Sequence, residues 1–250
     1  MKDQLYEYIL MLGDNAMILG HRLSELCGHG PNLETDIALT NISLDLYGQV
    51  RSYFQYAAEL KGGDATEDSI AFLREEREYR NVLLVEQANT DFAYVIGRQF
   101  LFDAFHLPLL EQLCNSADTQ IQAIAQKSIK EIRYHHRFSS EWVKRLGGGT
   151  AESHTRMQEA LNHLYPYTKE LFTETEIEAA MRDNGKGADL ALVKAAFDAS
   201  VESVCNAVGL TLPEQMRNYD KGKYGIHSEH MGFMLSQLQY MQRAYPNMQW

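Results

Sequence analysis

The 250-residue chain is poor in proline, in cysteine and in positive charge. Five prolines and no run of alternating β-branched residues leave no signature of a sheet, and no Pro- or Ser-rich stretch marks an interdomain linker. The three cysteines, Cys27, Cys114 and Cys205, are odd in number, widely spaced and without any Cys-x-x-Cys. That excludes a disulfide framework and a zinc knuckle, and it fits a reducing cytoplasm. Against 34 Asp and Glu stand only 23 Lys and Arg, a formal charge of −11, so the clustered cations that neutralise a nucleic-acid backbone are missing. Asp3, Glu7 and Asp14 interrupt the N-terminal apolar stretch, and the longest uncharged run, around 230–242, is too short and polar to span a bilayer. Neither an export signal nor a transmembrane helix is expected.

What is present is Leu, Ala, Met, Gln, Glu and Arg in long stretches, the composition of an all-α protein, read as one domain over 1–250. Leu5, Ile9, Leu12, Ala16, Leu19, Leu23 and Leu26 recur at steps of four and three, a stripe that predicts a helix over about 2–27. Gly28-His29-Gly30-Pro31 stops it. Leu39, Ile42, Leu46, Val50, Tyr53, Ala57 and Leu60 predict a second helix over about 33–60, ended by Gly62-Gly63. Helices over about 91–113 and 119–146 complete two antiparallel pairs, with the charged residues 74–80 reading as a short solvated helix between them. Gly147-Gly148-Gly149 has no preceding strand and no following Gly-Lys-Ser/Thr, so it reads as a break and not as a phosphate cradle. Beyond it the pattern predicts a helix over about 151–171, an acidic turn at 174–178 and helices over about 189–208 and 228–244. The expected architecture is a four-helix bundle with additional packed helices.

Several polar residues fall on faces that helical phase assigns to the core. On the third helix Gln99, Asp103 and His106 lie amid Phe92, Val95, Ile96, Phe102, Leu109 and Leu110. On the fourth, His135 lies near the centre of the buried side, Glu131 at its edge and Tyr134 further round. The second carries a polar seam of Asn41, Asp45, Gly48 and Ser52. On the first, Asn15 borders the apolar stripe while Asp14 points nearly opposite, which sets an amide at the expected depth of Asp45.

In di-metal carboxylate bundles a Glu-x-x-His on each of two helices supplies ligands, because residues three apart share a face. The corresponding segments here read Asp45-Leu46-Tyr47-Gly48 and Glu131-Ile132-Arg133-Tyr134: each has a carboxylate and neither has an imidazole at +3. Two readings stay open. In one, Asp45, Asp103, His106, Glu131 and His135 are residual ligands for iron or manganese in a divergent di-metal oxidase. In the other, these groups hydrogen-bond one another, with Gln99 and the Tyr134 hydroxyl filling the remaining acceptors, and no metal is held. The ligand count favours the second, since Asp is shorter than Glu and neither Gly48 nor Asn15 replaces a lost ligand.

The other candidates are weaker. His227-Ser228-Glu229-His230 has ligand spacing but reads as a helix start capped by Ser228; His154 and His163 read as solvated. Lys221-Gly222-Lys223-Tyr224-Gly225 is the one compact basic loop, either solvated or placed to meet an acidic ligand or partner. No Gly-x-Ser-x-Gly occurs and no cysteine has a catalytic histidine arrangement around it, so no nucleophile is assigned and all three thiols are expected to be buried. Met231, Phe233, Met234, Leu235, Leu238, Tyr240 and Met241 crowd the last helix on several faces and Trp250 closes the chain, an apolar excess suited to helix burial or to a subunit interface.

Leu12-Gly13-Asp14-Asn15, Cys27-Gly28-His29, Leu44-Asp45-Leu46-x-Gly48-Gln49, Leu83-Leu84-Val85-Glu86-Gln87, Lys130-Glu131-Ile132-Arg133-Tyr134-His135 and Gly225-Ile226-His227-Ser228-Glu229-His230-Met231-Gly232 occur in this order. Together with the Gln249-Trp250 end, they closely resemble the PaaC family, a subunit of bacterial ring-1,2-phenylacetyl-CoA epoxidase. The resemblance implies a ferritin-like fold and a part in aerobic phenylacetate degradation. It further implies a non-catalytic, cytoplasmic structural subunit of a heteromer, with no cofactor of its own. The di-iron centre would belong to the related catalytic subunit, PaaA, which epoxidises the aromatic ring. A reductase with flavin and iron-sulfur centres would supply electrons from NADPH. The family pattern carries no ligand roles to transfer to this chain.

Overall fold

The computed structural model describes residues 2–214, 221–246 and 248; the sequence landmark Trp250 lies outside the described residues. Among them every regular element is helical. Helix α1 (Lys2–Ser24) is followed by α2 (Leu33–Lys61), a short α3 (Glu67–Phe72), and the long α4 (Phe92–Leu113) and α5 (Thr119–Gly147). Each long helix after the first starts on a side-chain cap that accepts from an otherwise unpaired backbone N–H: Asn32 from Thr35, Asp91 from Tyr94, and Asp118 from Gln120 and Ile121.

α1 with α2 and α4 with α5 form two antiparallel hairpins, and α2 packs against α5 to join them. The sequence places the four long helices within a few residues of these bounds, and the architecture is that of a ferritin-like bundle. A second shell follows: α6 (Ala151–Leu164), α7 (Lys169–Phe172), α8 (Glu176–Asp183) and α9 (Leu190–Asn206), with α6 and α9 lying on α4. Two short helices, α10 (Glu229–Leu238) and α11 (Tyr240–Ala244), complete the described chain.

The register of the first hairpin differs from the expected one. Gly13 lies against Phe54 and Gly20 against Leu46, and the Ser24 and Ser43 hydroxyls are 2.9 Å apart. Asp45 is therefore level with Arg22, and Asn15 sits about two turns away, near Ser52. The expected thirty-residue offset fails because close packing at the two glycines fixes the interhelical contact, and phase along one helix does not contain it.

The charged stretch at 74–80 is not a solvated helix. It is part of a strap, residues 74–87, with only two 3-10 turns, Glu76–Glu78 and Leu83–Glu86, and with Arg74, Tyr79, Val82, Leu84 and Val85 buried. Arg74 grips the Asp14 carboxylate with both terminal nitrogens and lies 4.1 Å from the Tyr79 ring centroid. Asp14, expected to face away from the core, is consequently enclosed: the strap covers the back of α1 and supplies the cation that a buried carboxylate requires.

Three smaller differences have local causes. Pro166 has no N–H to continue α6, so the chain passes into a 3-10 turn, Tyr165–Thr168, before α7. The acidic stretch at 174–178 opens α8 as a capping box between Thr175 and Glu178. The last helix is broken at Gln239, whose side-chain amide donates to the Arg74 carbonyl 2.8 Å away.

Candidate functional site

The polar residues singled out by helical phase do converge where α2, α4 and α5 meet, but as a hydrogen-bonded core. His135 on α5 is fully enclosed and donates from Nε2 to Asp45 Oδ2 on α2 at 2.9 Å; the Asp45 side chain is 35% exposed. Deeper in the bundle, Asp103 accepts from Gln99 Nε2 at Oδ1 and from Ser139 Oγ at Oδ2, both at 2.7 Å. Gln99 and Asp103 are one helical turn apart on α4, which brings amide and carboxylate together without a long-range contact.

Burial pushes the Asp103 carboxyl up to about 7, against the opposing pull of His135 and of the bonds from Ser139 and Gln99. Burial pushes His106 down to about 3, and the neighbouring His135 adds to this, so the ring stays neutral. Glu131 is half-buried at the rim, its carboxyl raised by burial and then by Asp45, with His135 opposing. His106 Nδ1, His135 Nδ1 and Gln99 Oε1 are buried with no hydrogen-bond partner.

Two members of the expected cluster stand apart. Tyr134 is 41% exposed, with the Arg137 guanidinium 5.9 Å from its ring centroid, so its hydroxyl is not among the groups that satisfy the core. Asn15 Oδ1 accepts from the Val82 amide at 2.9 Å and belongs to the strap. Gly48 is exposed, and a Cβ there would meet nothing within 4 Å.

Sequence reasoning missed Ser139 as the second donor to Asp103, because a serine on an apolar face reads as a small packing residue. It also missed the buried Gln49, whose amide atoms have no partner; Tyr53, placed on the core stripe, likewise keeps an unpartnered hydroxyl. Gln49 was within reach of the same helical phase, one turn beyond Asp45.

This donor set does not fit a di-metal carboxylate centre. The Asp45 lone pair directed at the core is taken by the His135 proton, and Asp103 accepts at both oxygens. Among the described residues no three of His, Cys, Asp and Glu converge as a metal ion requires. The arrangement offers a buried carboxyl whose proton affinity burial raises to about 7 and a neutral imidazole, both sealed within the bundle.

The remaining candidates also resolve differently from expectation. Lys223 is buried: Nζ donates to Glu178 Oε1 at 2.8 Å and to the carbonyls of Leu171 and Thr173, so it is neither solvated nor free to meet a phosphate. Ser228 occupies the N-cap position of α10 but makes no capping bond; its hydroxyl and amide donate to Glu86 instead. His154 Nδ1 donates to the Gly147 carbonyl, and His163 lies between the rings of Tyr94 and Tyr167, so neither is simply solvated. Cys205 is buried as expected, whereas Cys27, beyond the end of α1, is exposed.

Comparison with known proteins gives two matches. The family model described as "Phenylacetic acid catabolic protein" matches residues 1–250. The chain is also 48% identical over 248 residues to the C-designated subunit of 1,2-phenylacetyl-CoA epoxidase from Escherichia coli (strain K12), covering 99% of this chain and 100% of that relative.

Proposed function

The chain belongs to the phenylacetic acid catabolic protein family, and we propose that it serves as a non-catalytic structural subunit of a phenylacetyl-CoA epoxidase. In this reading it acts in the cytoplasm, carries no cofactor and supports a homologous helical subunit, the PaaA type, that holds the di-iron centre. A flavin and iron-sulfur reductase feeds electrons to that partner. The observation that carries the proposal is the occupation of Asp45 by His135, with Gly48 and Tyr134 at the two positions where a ligand imidazole would stand. The Asp45 oxygen and the His135 nitrogen that would otherwise be metal donors are bonded to each other, which makes this seam of the bundle a structural element.

A supporting subunit needs surface for its partner, and apolar side chains are available. Leu33, Ile37 and Leu44 are 70%, 51% and 61% exposed along one stripe of α2 that continues to the bare Gly48. Helix-to-helix docking uses such stripes, with small residues allowing close approach.

The test is co-expression with the catalytic subunit followed by metal analysis. A stable complex should form, with the iron in the partner and less than about a tenth of an equivalent on this chain when it is purified alone. Stoichiometric iron on the isolated chain, or failure to form a complex, would overturn the assignment.

A further inference from the structure

The region outside the bundle core with the most unusual chemistry is the crossing of the strap by the C-terminal segment. Glu86 is fully buried and its carboxylate accepts from three residues. Asn81 Nδ2 and His227 Nδ1 donate to Oε1 at 2.9 and 2.7 Å, while the Ser228 amide and hydroxyl donate to Oε2 at 2.8 and 2.5 Å. Arg22 of α1 donates from Nε and one terminal nitrogen to the Glu86 carbonyl, which fixes the 3-10 turn beneath.

The His227 side chain is enclosed as completely as that of Glu86. Its Nδ1 meets a carboxylate and its Nε2 meets the Tyr79 carbonyl at 3.2 Å. Both partners are acceptors, so both ring nitrogens are matched only when both carry a proton, which is the imidazolium form. Isolated burial of either charge would be prohibitive, and each is tolerated only while the other is in place.

Residues 221–246 reach the body of the protein through this crossing, through the buried ion pair of Lys223 with Glu178, and through Met231, Met234 and Leu235, which are packed in the core. α10 packs on the Glu76–Glu78 turn of the strap; Gln239 and Arg243 bond to the Arg74 carbonyl, and Lys223 enters the second shell at Glu178. Gly225 adopts φ 75° where the chain passes over the Arg77 carbonyl. The outward side carries Tyr224, Ile226, Phe233 and Tyr240, of which Phe233 is 75% exposed.

We propose that residues 221–246 are a separately releasable arm, clasped to the strap by the imidazolium of His227 on Glu86, and that loss of the His227 proton opens it while the bundle stays folded. The charged and titratable groups facing the ring are few. Glu86 and Tyr79 come from the strap, and Asp14 from α1, itself matched by Arg74; Arg22 lies on the far side of Glu86. Burial alone would lower the His227 pKa, but the bond and charge of Glu86, the Tyr79 carbonyl and the charge of Asp14 outweigh it and raise the value. A raised folded-state pKa contributes stability that is complete below the ordinary histidine range and is lost as pH rises through the folded value.

Hydrogen exchange of the full chain read by mass spectrometry, corrected for intrinsic rates, tests this at several values from about pH 6 to about pH 9. Expected is a loss of protection of up to about tenfold per pH unit between the ordinary histidine range and the folded pKa, levelling off above it, confined to peptides from 221–246, with α1, α2, α4 and α5 unchanged. His227→Gln should show the opened arm already at the acid end and no further pH dependence. If that variant fails to fold, the wild-type series decides alone. The proposal is overturned by protection of 221–246 that does not change with pH, by loss in step with the bundle, or by a His227→Gln arm as protected as the wild type.

Discussion

Asp45 and His135 are joined across the α2–α5 seam by a 2.9 Å bond from the enclosed ring to a carboxylate that still touches solvent. The contact satisfies the one His135 nitrogen that has a partner, since Nδ1 has none. Asp45→Ala should therefore leave a buried imidazole wholly unsatisfied and cost about 1–3 kcal/mol in urea denaturation. Asp45→Asn keeps an acceptor oxygen and should cost less than half as much. Equal losses for the two variants would show that the charge, and not the acceptor, holds the ring.

Asp103 gives a pH signature of defined sign. Its carboxyl is pushed from 3.8 up to about 7, so the folded chain holds the proton more tightly than the unfolded one. The neutral form contributes stability that is complete below the ordinary carboxylate range and is lost as pH rises through about 7. Asp103→Asn keeps the shape and does not ionise. The stability of the wild type relative to this variant should fall by more than about 1 kcal/mol between about pH 4 and about pH 8, as read by denaturation at each pH.

Gly48 is mid-helix, exposed and without a neighbour that a methyl group would strike. Gly48→Ala should raise the stability of the isolated chain by about 0.5–1 kcal/mol, because the backbone gains helix propensity and loses no contact. If α2 docks against the partner at this stripe, the same variant should also weaken complex formation in a titration monitored by calorimetry.

The two lysines of the basic loop should separate cleanly. Lys223→Met strands Glu178 and two carbonyls and should cost about 3 kcal/mol, whereas Lys221→Met, at an exposed position, should change stability by less than about 0.5 kcal/mol. Thermal unfolding of the two variants side by side measures the difference.

The sequence by itself determined the helical class, the bounds of the four long helices to within a few residues, and the burial of Gln99, Asp103, His106 and His135. Each of these follows from the 3.6-residue period and from local caps and glycine stops, which act within a turn or two of chain. The polar seam of α2 and the inward phase of His135 were equally legible, and the absence of imidazoles at Gly48 and Tyr134 is plain from the residue types alone. Only the tertiary structure decided what those groups touch. The register of α1 on α2 moved Asn15 away from Asp45, and the strap enclosed Asp14 with Arg74. The C-terminal segment turned His227, Ser228 and Lys223 from a helix start and a surface loop into buried partners of Glu86 and Glu178. Such contacts join residues 45 to 142 positions apart, and a periodic pattern carries no record of them: a buried charge shows in the sequence only as a polar residue, and its partner is chosen by how the chain returns.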